Sequence, residues 1–258
     1  MKILIRLQKY CRAALIALVI CMLCISASDR PRFKVFVKIS KAADHKKMMS
    51  AAKPFLKRMA RENGFVVDIT DDNRLVNVEN LSRYHVFVQL QEAPFDLTPK
   101  EQSAVQQFIE QGKGWVGIHA AGLTGTLYTN PDKPYWQWFE DAMGGVRYTP
   151  HPAFQKGTLV IEDRGHPITR NLPEKMEIYD EWYEFNKSPR PHVRVLAHAD
   201  ESTYRPRKPM GDHPLIWVNE KYERMVYIGI GHDAALCANP DFNVLVRDAI
   251  LWAGKKSN

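Results

Sequence analysis

The chain has 258 residues, 45% hydrophobic and 25% charged, which suits one α/β domain or two small ones and excludes a disordered or fibrous protein. Its formal charge of +7 includes Lys2, Arg6, Lys9 and Arg12, which precede an apolar run from Ala13 to Ile25 and the small-residue exit Ser26-Ala27-Ser28. Those parts read as a secretory signal peptide over residues 1–28, and losing its four basic residues takes the charge to +3, too little to argue for a nucleic-acid partner. The apolar run is too short to span a bilayer comfortably, which counts against the rival reading, a short uncleaved anchor. An exported protein is expected, periplasmic or extracellular, with no membrane span once the signal is cleaved. Cys21 and Cys24 each follow a bulky residue, Ile20 and Leu23, which argues against lipid attachment. Cleavage leaves Cys237 alone, unable to form an internal disulfide and expected as a buried, inert thiol.

In chain order, Phe33 to Ile39 is a strand. Asp44 is expected to cap a helix with apolar positions Met48, Ala51, Ala52, Phe55 and Met59, kinked or broken at Pro54 and ended by Asn63-Gly64. Phe65 to Ile69 and His85 to Gln89 are the next strands, separated by the loop Asp71-Asp72-Asn73. Thr98 and Glu101 fit a capping box, with Pro99 at the first helical position and Gly112 as the stop. The strand Gly114 to Ile118 follows. This order, β-α-β-β-α-β, predicts an α/β fold with a mainly parallel sheet flanked by helices. Tyr135 to Met143 reads as an aromatic-rich helix. The stretch Gly157 to Val218 is strand-rich and irregular, with strands at Leu159–Ile161, Val193–Leu196 and Leu215–Val218. Met225 to Ile230 is another strand, and a last helix buries Phe242, Leu245, Val246, Ala249, Ile250 and Ala253. No repeat or linker interrupts residues 29–258, which form one domain.

Two strands end alike, in Gly117-Ile118-His119 and in Gly229-Ile230-Gly231-His232-Asp233. The first has the build of a nucleophile elbow with histidine where serine or cysteine would stand. Ligands of open α/β sheets bind beyond the carboxyl ends of strands, so two such histidines favour a shared site. Asp180-Glu181-Trp182-Tyr183-Glu184 sets carboxylates beside aromatics, an environment that drives carboxyl pKa values apart and suits acid/base work. His45 follows the first strand. The pairs His151-Pro152, His166-Pro167 and His213-Pro214 read mostly as shaped loops. Histidine with carboxylate is also the right chemistry for Zn or Mn, although no local ligand spacing such as H-x-x-x-H is present. Tyr128, Tyr135, Trp136, Trp138, Tyr148, Trp182 and Tyr183 could stack on sugar rings or pack a small second core. No G-x-G-x-x-G or phosphate loop occurs.

The motifs Gly114-Trp115-Val116-Gly117-Ile118-His119-Ala120-Ala121, Asp180-Glu181-Trp182-Tyr183 and Gly229-Ile230-Gly231-His232-Asp233, with the terminal Leu251-Trp252-Ala253, resemble the ThuA-like (trehalose utilisation) family over about residues 33 to 254. The resemblance implies a flavodoxin-like fold similar to class I glutamine amidotransferases without their cysteine nucleophile, and so no amidotransferase activity. It matches His45, His119, the pair Asp180 and Glu181, His232 and His151 to positions of the family pattern. It implies a role in carbohydrate catabolism on a disaccharide or keto-sugar.

The expected enzyme, a hydrolase, lyase or isomerase, would use His119 or Glu181 as base with Asp180 beside it, and His232 and His45 as electrophiles or as ligands of a metal doing that job. His45, His151, Trp182, Tyr183 and Asp233 would bind the small carbohydrate, and His45, His119 and His232 are the candidate ligands of a divalent metal. The alternative is a sugar-binding protein without catalysis.

Overall fold

The structure, a computed structural model, describes residues 32–255. The expected signal peptide with Cys11, Cys21 and Cys24 lies outside the described residues. Among the described residues no helix is long and apolar enough to cross a membrane.

The first half runs β1 (Lys34–Ile39), α1 (Lys46–Asn63), β2 (Val66–Thr70), α2 (Val78–Ser82), β3 (Val86–Leu90), α3 (Pro99–Glu110) and β4 (Gly114–Ile118). The second half runs α4 (Gln137–Ala142), β5 (Tyr148–Thr149), β6 (Gln155–Ile161), β7 (Lys175–Asp180), β8 (Glu184–Phe185), β9 (Arg194–Asp200), β10 (Pro214–Asn219), β11 (Met225–Ile228) and α5 (Pro240–Ala253). Nine strands form one sheet in the order β2-β1-β3-β4-β11-β10-β9-β6-β7, and β5 pairs with β8 separately. From β2 to β11 every pairing is parallel, and this is the predicted helix-flanked core. From β11 to β7 every pairing is antiparallel, which the irregular spacing of the middle segment does not reveal.

Strand parity sorts the core into two layers. Val88, Leu90, Ile118 and Val246 line one side with Phe55 of α1 and Phe242 of α5, whose rings lie 6.5 Å apart. On the other side Phe87 meets Phe108 of α3, and Trp115 meets Phe139 of α4 edge-on at 5.5 Å. Gly117 is required there: a Cβ at that position would overlap the Trp115 indole.

Several boundaries differ from expectation. Helix α1 runs unbroken through Pro54. Pro54 and Ser50 are exposed, so the carbonyl deprived of its helical donor faces solvent, while Ser50 Oγ donates to Lys46 O at 3.0 Å. The N-cap of α1 is His45, not Asp44, and Asp44 instead accepts the His45 N–H at 3.1 Å. Helix α2 has no counterpart among the predicted elements because it is one turn long, capped by Asn77 accepting from Asn80 N. The Thr98–Glu101 capping box of α3 is formed on both sides. Tyr135 and Trp136 precede α4, and Trp136 stacks on Trp138 and Phe139 at the edge of the main core rather than in a second one. Cys237 is half-buried, and burial pushes its thiol up to about 11, as expected of an inert group.

Register aligns the strand exits. Ile39 pairs with Leu90, Leu90 with Ile118, and Ile118 with Ile228, so the chain leaves β1, β3, β4 and β11 along one edge of the sheet. Strand β7 stands four strands beyond β11, which in a flat sheet is about 19 Å. Asp180 at its end nevertheless accepts the Gly231 N–H at 2.5 Å. The antiparallel half therefore curls over and brings the end of β7 to the exits of β4 and β11.

Candidate functional site

His119 leaves β4 with φ +54, a left-handed conformation that a non-glycine residue rarely adopts. This is the elbow read from the sequence, and it turns the imidazole back across the strand end. Its Nδ1 lies 3.2 Å from the Gly229 carbonyl, an acceptor only, so Nδ1 carries the proton. The Nε2 lone pair then points into the site, 3.2 Å from His232 Nδ1 and 3.3 Å from Glu181 Oε2.

Glu181 Oε2 is the hub. Three imidazole nitrogens surround that one oxygen: His119 Nε2 at 3.3 Å, His151 Nε2 at 3.3 Å and His232 Nδ1 at 3.1 Å. His151 also turns Nδ1 to a carbonyl, that of Pro152, at 2.7 Å. Both His119 and His151 thus use one proton on backbone oxygens, and their inner nitrogens meet a carboxylate and each other's partners. Such a set of lone pairs coheres only around added protons or a cation. Burial works against the charged form of Glu181, yet the hydrogen bonds and charges of the imidazoles outweigh it and hold the carboxyl far below the usual range. Burial also opposes a charge on His232, but Glu181 and Asp180 outweigh it and raise the pKa. His45 is different. Burial pushes it down to about 4, so it is a neutral imidazole at physiological pH.

His45, from the N-cap of α1, closes the cluster, with its ring 5.1 Å from His232 and 6.2 Å from His119. Its Nδ1 lies 3.2 Å from Ser40 Oγ. One ligand atom each of His45, His119 and His232 lies within 4.8 Å of the others, and Glu181 offers a carboxylate alongside. Imidazole with one carboxylate is a donor set that Zn or Mn accepts.

The remaining predicted residues divide. Tyr183 lines the cavity, its ring 4.0 Å from His119 and stacked on His151 at 5.3 Å. Asp180 does not enter the cavity. The alternation of β7 turns it inward, fully buried, where its carboxylate accepts the N–H groups of Gly231, His232 and Asp233. It fixes the loop that carries His232 and is a positioning residue. Trp182 is also fully buried, stacked on Tyr204 and donating Nε1–H to Gln155 O, so it has no face for a sugar. Asp233 caps the following 3-10 turn at Ala235 N and lies outside the cavity lining. His166 and His213 are structural: the first packs on Trp252, and the second is held between Glu201 and Tyr183 O.

The cavity measures ≈ 520 Å³. Besides the cluster it is lined by Gln91, Phe95, Asp96, Tyr128, Lys133 and Tyr148. Gln91 is not among the residues that the sequence singles out, although it leaves β3 as His119 leaves β4, with φ +53. Its Nε2 donates to Gly231 O, and its Oε1 is buried without a hydrogen-bond partner. Its one signal in the sequence is a position directly after a strand.

The sequence pattern of the family described as trehalose utilisation matches residues 34–253. The chain belongs to the ThuA family. Among solved structures it is similar to a ThuA-like protein from Bacteroides uniformis, at 31% identity over 87% of this chain and 92% of that one, with a TM-score of 0.76. A ThuA-like protein from Parabacteroides merdae shares 17% identity over 88% of this chain and 91% of that one, with a TM-score of 0.66. A GMP synthase component from Thermoplasma acidophilum is 15% identical over 85% of this chain and 93% of that one, at a TM-score of 0.53, which shows the shared glutamine amidotransferase-like fold alone. No curated protein matches the chain. ThuA membership associates the chain with carbohydrate use, and in this member of the fold the elbow carries His119.

Proposed function

We propose that the chain is a carbohydrate-processing enzyme performing acid/base or metal-assisted chemistry on a disaccharide or keto-sugar. The observation that carries this reading is the convergence of three imidazole nitrogens on Glu181 Oε2 at 3.1 to 3.3 Å, at the floor of a cavity open to a small molecule. Removing a proton beside a sugar carbonyl needs a base poised near neutral pH and a positive group at the oxygen that gains charge. His119 Nε2, with its other nitrogen committed to Gly229 O, is the base. Glu181 is held ionised and is therefore a poor proton acceptor; it pairs with His232 at 3.1 Å. His232, whose charged form Glu181 favours, supplies the positive group. Neutral His45 with His119 and His232 would hold a divalent ion such as Zn or Mn, and a bound ion would polarise a sugar oxygen. Ser40 and Gly229 O keep two of those rings oriented whether or not an ion is bound.

Residues 1–28 add a location to the proposal, since a cleaved signal puts this chemistry outside the cytoplasm. The mass of the mature N-terminus tests that part. The chemistry is tested by incubating the protein with disaccharides and keto-sugars and following products by mass spectrometry. Turnover lost in the His119→Ala/His232→Ala double variant, with the fold intact, is the expected result. Unchanged turnover in that variant would sink the mechanism. Sugar binding with no product in wild type would make the protein a binding module instead.

A further inference from the structure

The cavity has two chemically different ends. One is the His/Glu181 floor. The other is an aromatic wall of Phe95, Tyr128 and Tyr148, with Asp96 and Lys133 beside it. The two ends are joined through rings in contact: Tyr183 lies 4.0 Å from His119, Tyr148 lies 4.9 Å from Tyr183, and Tyr128 lies 6.0 Å from Tyr148. Tyr128 is the outermost of these and is 47% exposed.

Its loop is nevertheless anchored. Thr124 Oγ1 donates to Val146 O at 2.7 Å, and the Tyr148 N–H donates to Thr124 O at 3.2 Å. At the far side of the loop Lys133 pairs with Asp96 at 2.8 Å and sits 5.1 Å over the Phe95 ring. A half-exposed tyrosine on a pinned loop, backed by Phe95 at 5.9 Å, presents a preformed apolar face to whatever fills the cavity. The C–H face of a pyranose is the electropositive complement of an aromatic face. The adjacent ammonium and carboxylate offer a donor and an acceptor to ring hydroxyls.

We propose that this aromatic end is a second sugar subsite: the ligand is a disaccharide whose reacting ring lies over the His/Glu181 floor and whose other ring stacks on Tyr128. The inference rests on the carbohydrate reading above, takes the disaccharide of the two ligands that reading allows, and adds the residue that selects for its second ring. A cavity of ≈ 520 Å³ falls within the range of about 300–1,000 Å³ typical of small-molecule sites and leaves room beyond a single ring over the floor.

The test is calorimetric titration of wild type, Tyr128→Ala and Tyr128→Phe with methyl α-glucoside and with a panel of diglucosides (trehalose, maltose, cellobiose). Wild type is expected to bind at least one diglucoside about 3- to 10-fold more tightly than the single-ring probe, the worth of one aromatic stack. Tyr128→Ala should erase that advantage and leave methyl α-glucoside binding unchanged, while Tyr128→Phe retains most of it. Tyr128 is half-exposed, so a thermal midpoint equal to wild type verifies that the variants are folded. A diglucoside advantage that survives Tyr128→Ala, or a loss equal for both kinds of probe, overturns the subsite and leaves the carbohydrate reading intact. No binding of any of these sugars by wild type overturns the subsite and the disaccharide arm of the carbohydrate reading.

Discussion

Replacing Asp180 by asparagine should separate holding the site from performing its chemistry. In the folded protein Asp180 Oδ2 accepts Gly231 N–H at 2.5 Å, Oδ1 accepts Asp233 N–H at 3.2 Å, and both oxygens share His232 N–H at 3.1 and 3.2 Å. An amide keeps one acceptor and turns the other into a donor that faces N–H groups. Whichever way it rotates, at least one buried backbone donor loses a charge-assisted bond, a loss of about 1.5–3 kcal/mol. Burial pushes the Asp180 pKa up, so removing its charge recovers part of the desolvation cost. The net expectation is a loss of about 2 kcal/mol, which for a domain of this length lowers the melting temperature by roughly 4–8 °C. Asp180→Ala, which leaves all three donors without a carboxylate, should lose more. Thermal unfolding followed by circular dichroism measures both variants. A Tm for Asp180→Asn within about 1 °C of wild type would show that the carboxylate does not hold the His232 loop, and the assignment of Asp180 as a positioning residue would fall.

Three further predictions concern other parts of the molecule. Lys38 Nζ and Glu92 Oε1 are paired at 2.6 Å with side chains 0% and 4% exposed, and burial pushes the lysine down and the glutamate up. Lys38→Met alone should therefore cost about 3–5 kcal/mol, whereas the Lys38→Met/Glu92→Leu double variant should lie within about 1–2 kcal/mol of wild type in urea unfolding; additive losses would contradict this. Hydrogen bonds from Arg190 hold the Glu162 and Asp212 carboxyls below their usual range, so their folded pKa values lie below the unfolded ones. Their stabilisation is present at neutral pH and lost as pH falls through the folded values, so Arg190→Met should flatten the fall of Tm between about pH 5 and 3, and an acid profile equal to wild type would refute the link. If His45, His119 and His232 hold a divalent ion, Zn or Mn at a hundredfold excess over Kd should stabilise the fold by about 2.7 kcal/mol, a rise of roughly 5–10 °C that disappears in His45→Ala. No rise in wild type at millimolar ion would leave the acid/base route alone.

Much of the parallel core was legible because its signals are local. The Thr98–Glu101 box, Pro99 and Gly112 each act within a turn of the chain, and they bound α3 as read. The helix does not break at Pro54 because the effect of a proline depends on exposure, and exposure is set by what packs on the other side of the helix. The antiparallel half was illegible because no local signal records the direction or register in which β7 and β9 flank β6, and the bulges between β9 and β10 and the curl of the sheet follow no period.

At the site, the sequence by itself determined the chemical inventory: histidines at the exits of two strands, one after the first strand, and a carboxylate pair beside aromatics. It also placed small residues, Ala120, Ala121 and Gly122, directly after His119, while the left-handed turn itself is seen only in the fold. Only the tertiary structure decided which carboxylate faces inward. Asp180 and Glu181 are adjacent in the chain, but β7 ends by burying the first against the backbone of residues 231–233, and the chain leaving the strand turns the second toward His119, His151 and His232. Trp182 and Tyr183 divide the same way, one into the core and one onto the cavity wall. A one-residue step reverses the face of a strand, and which face is the inside depends on the curl that carries the end of β7 back to β11.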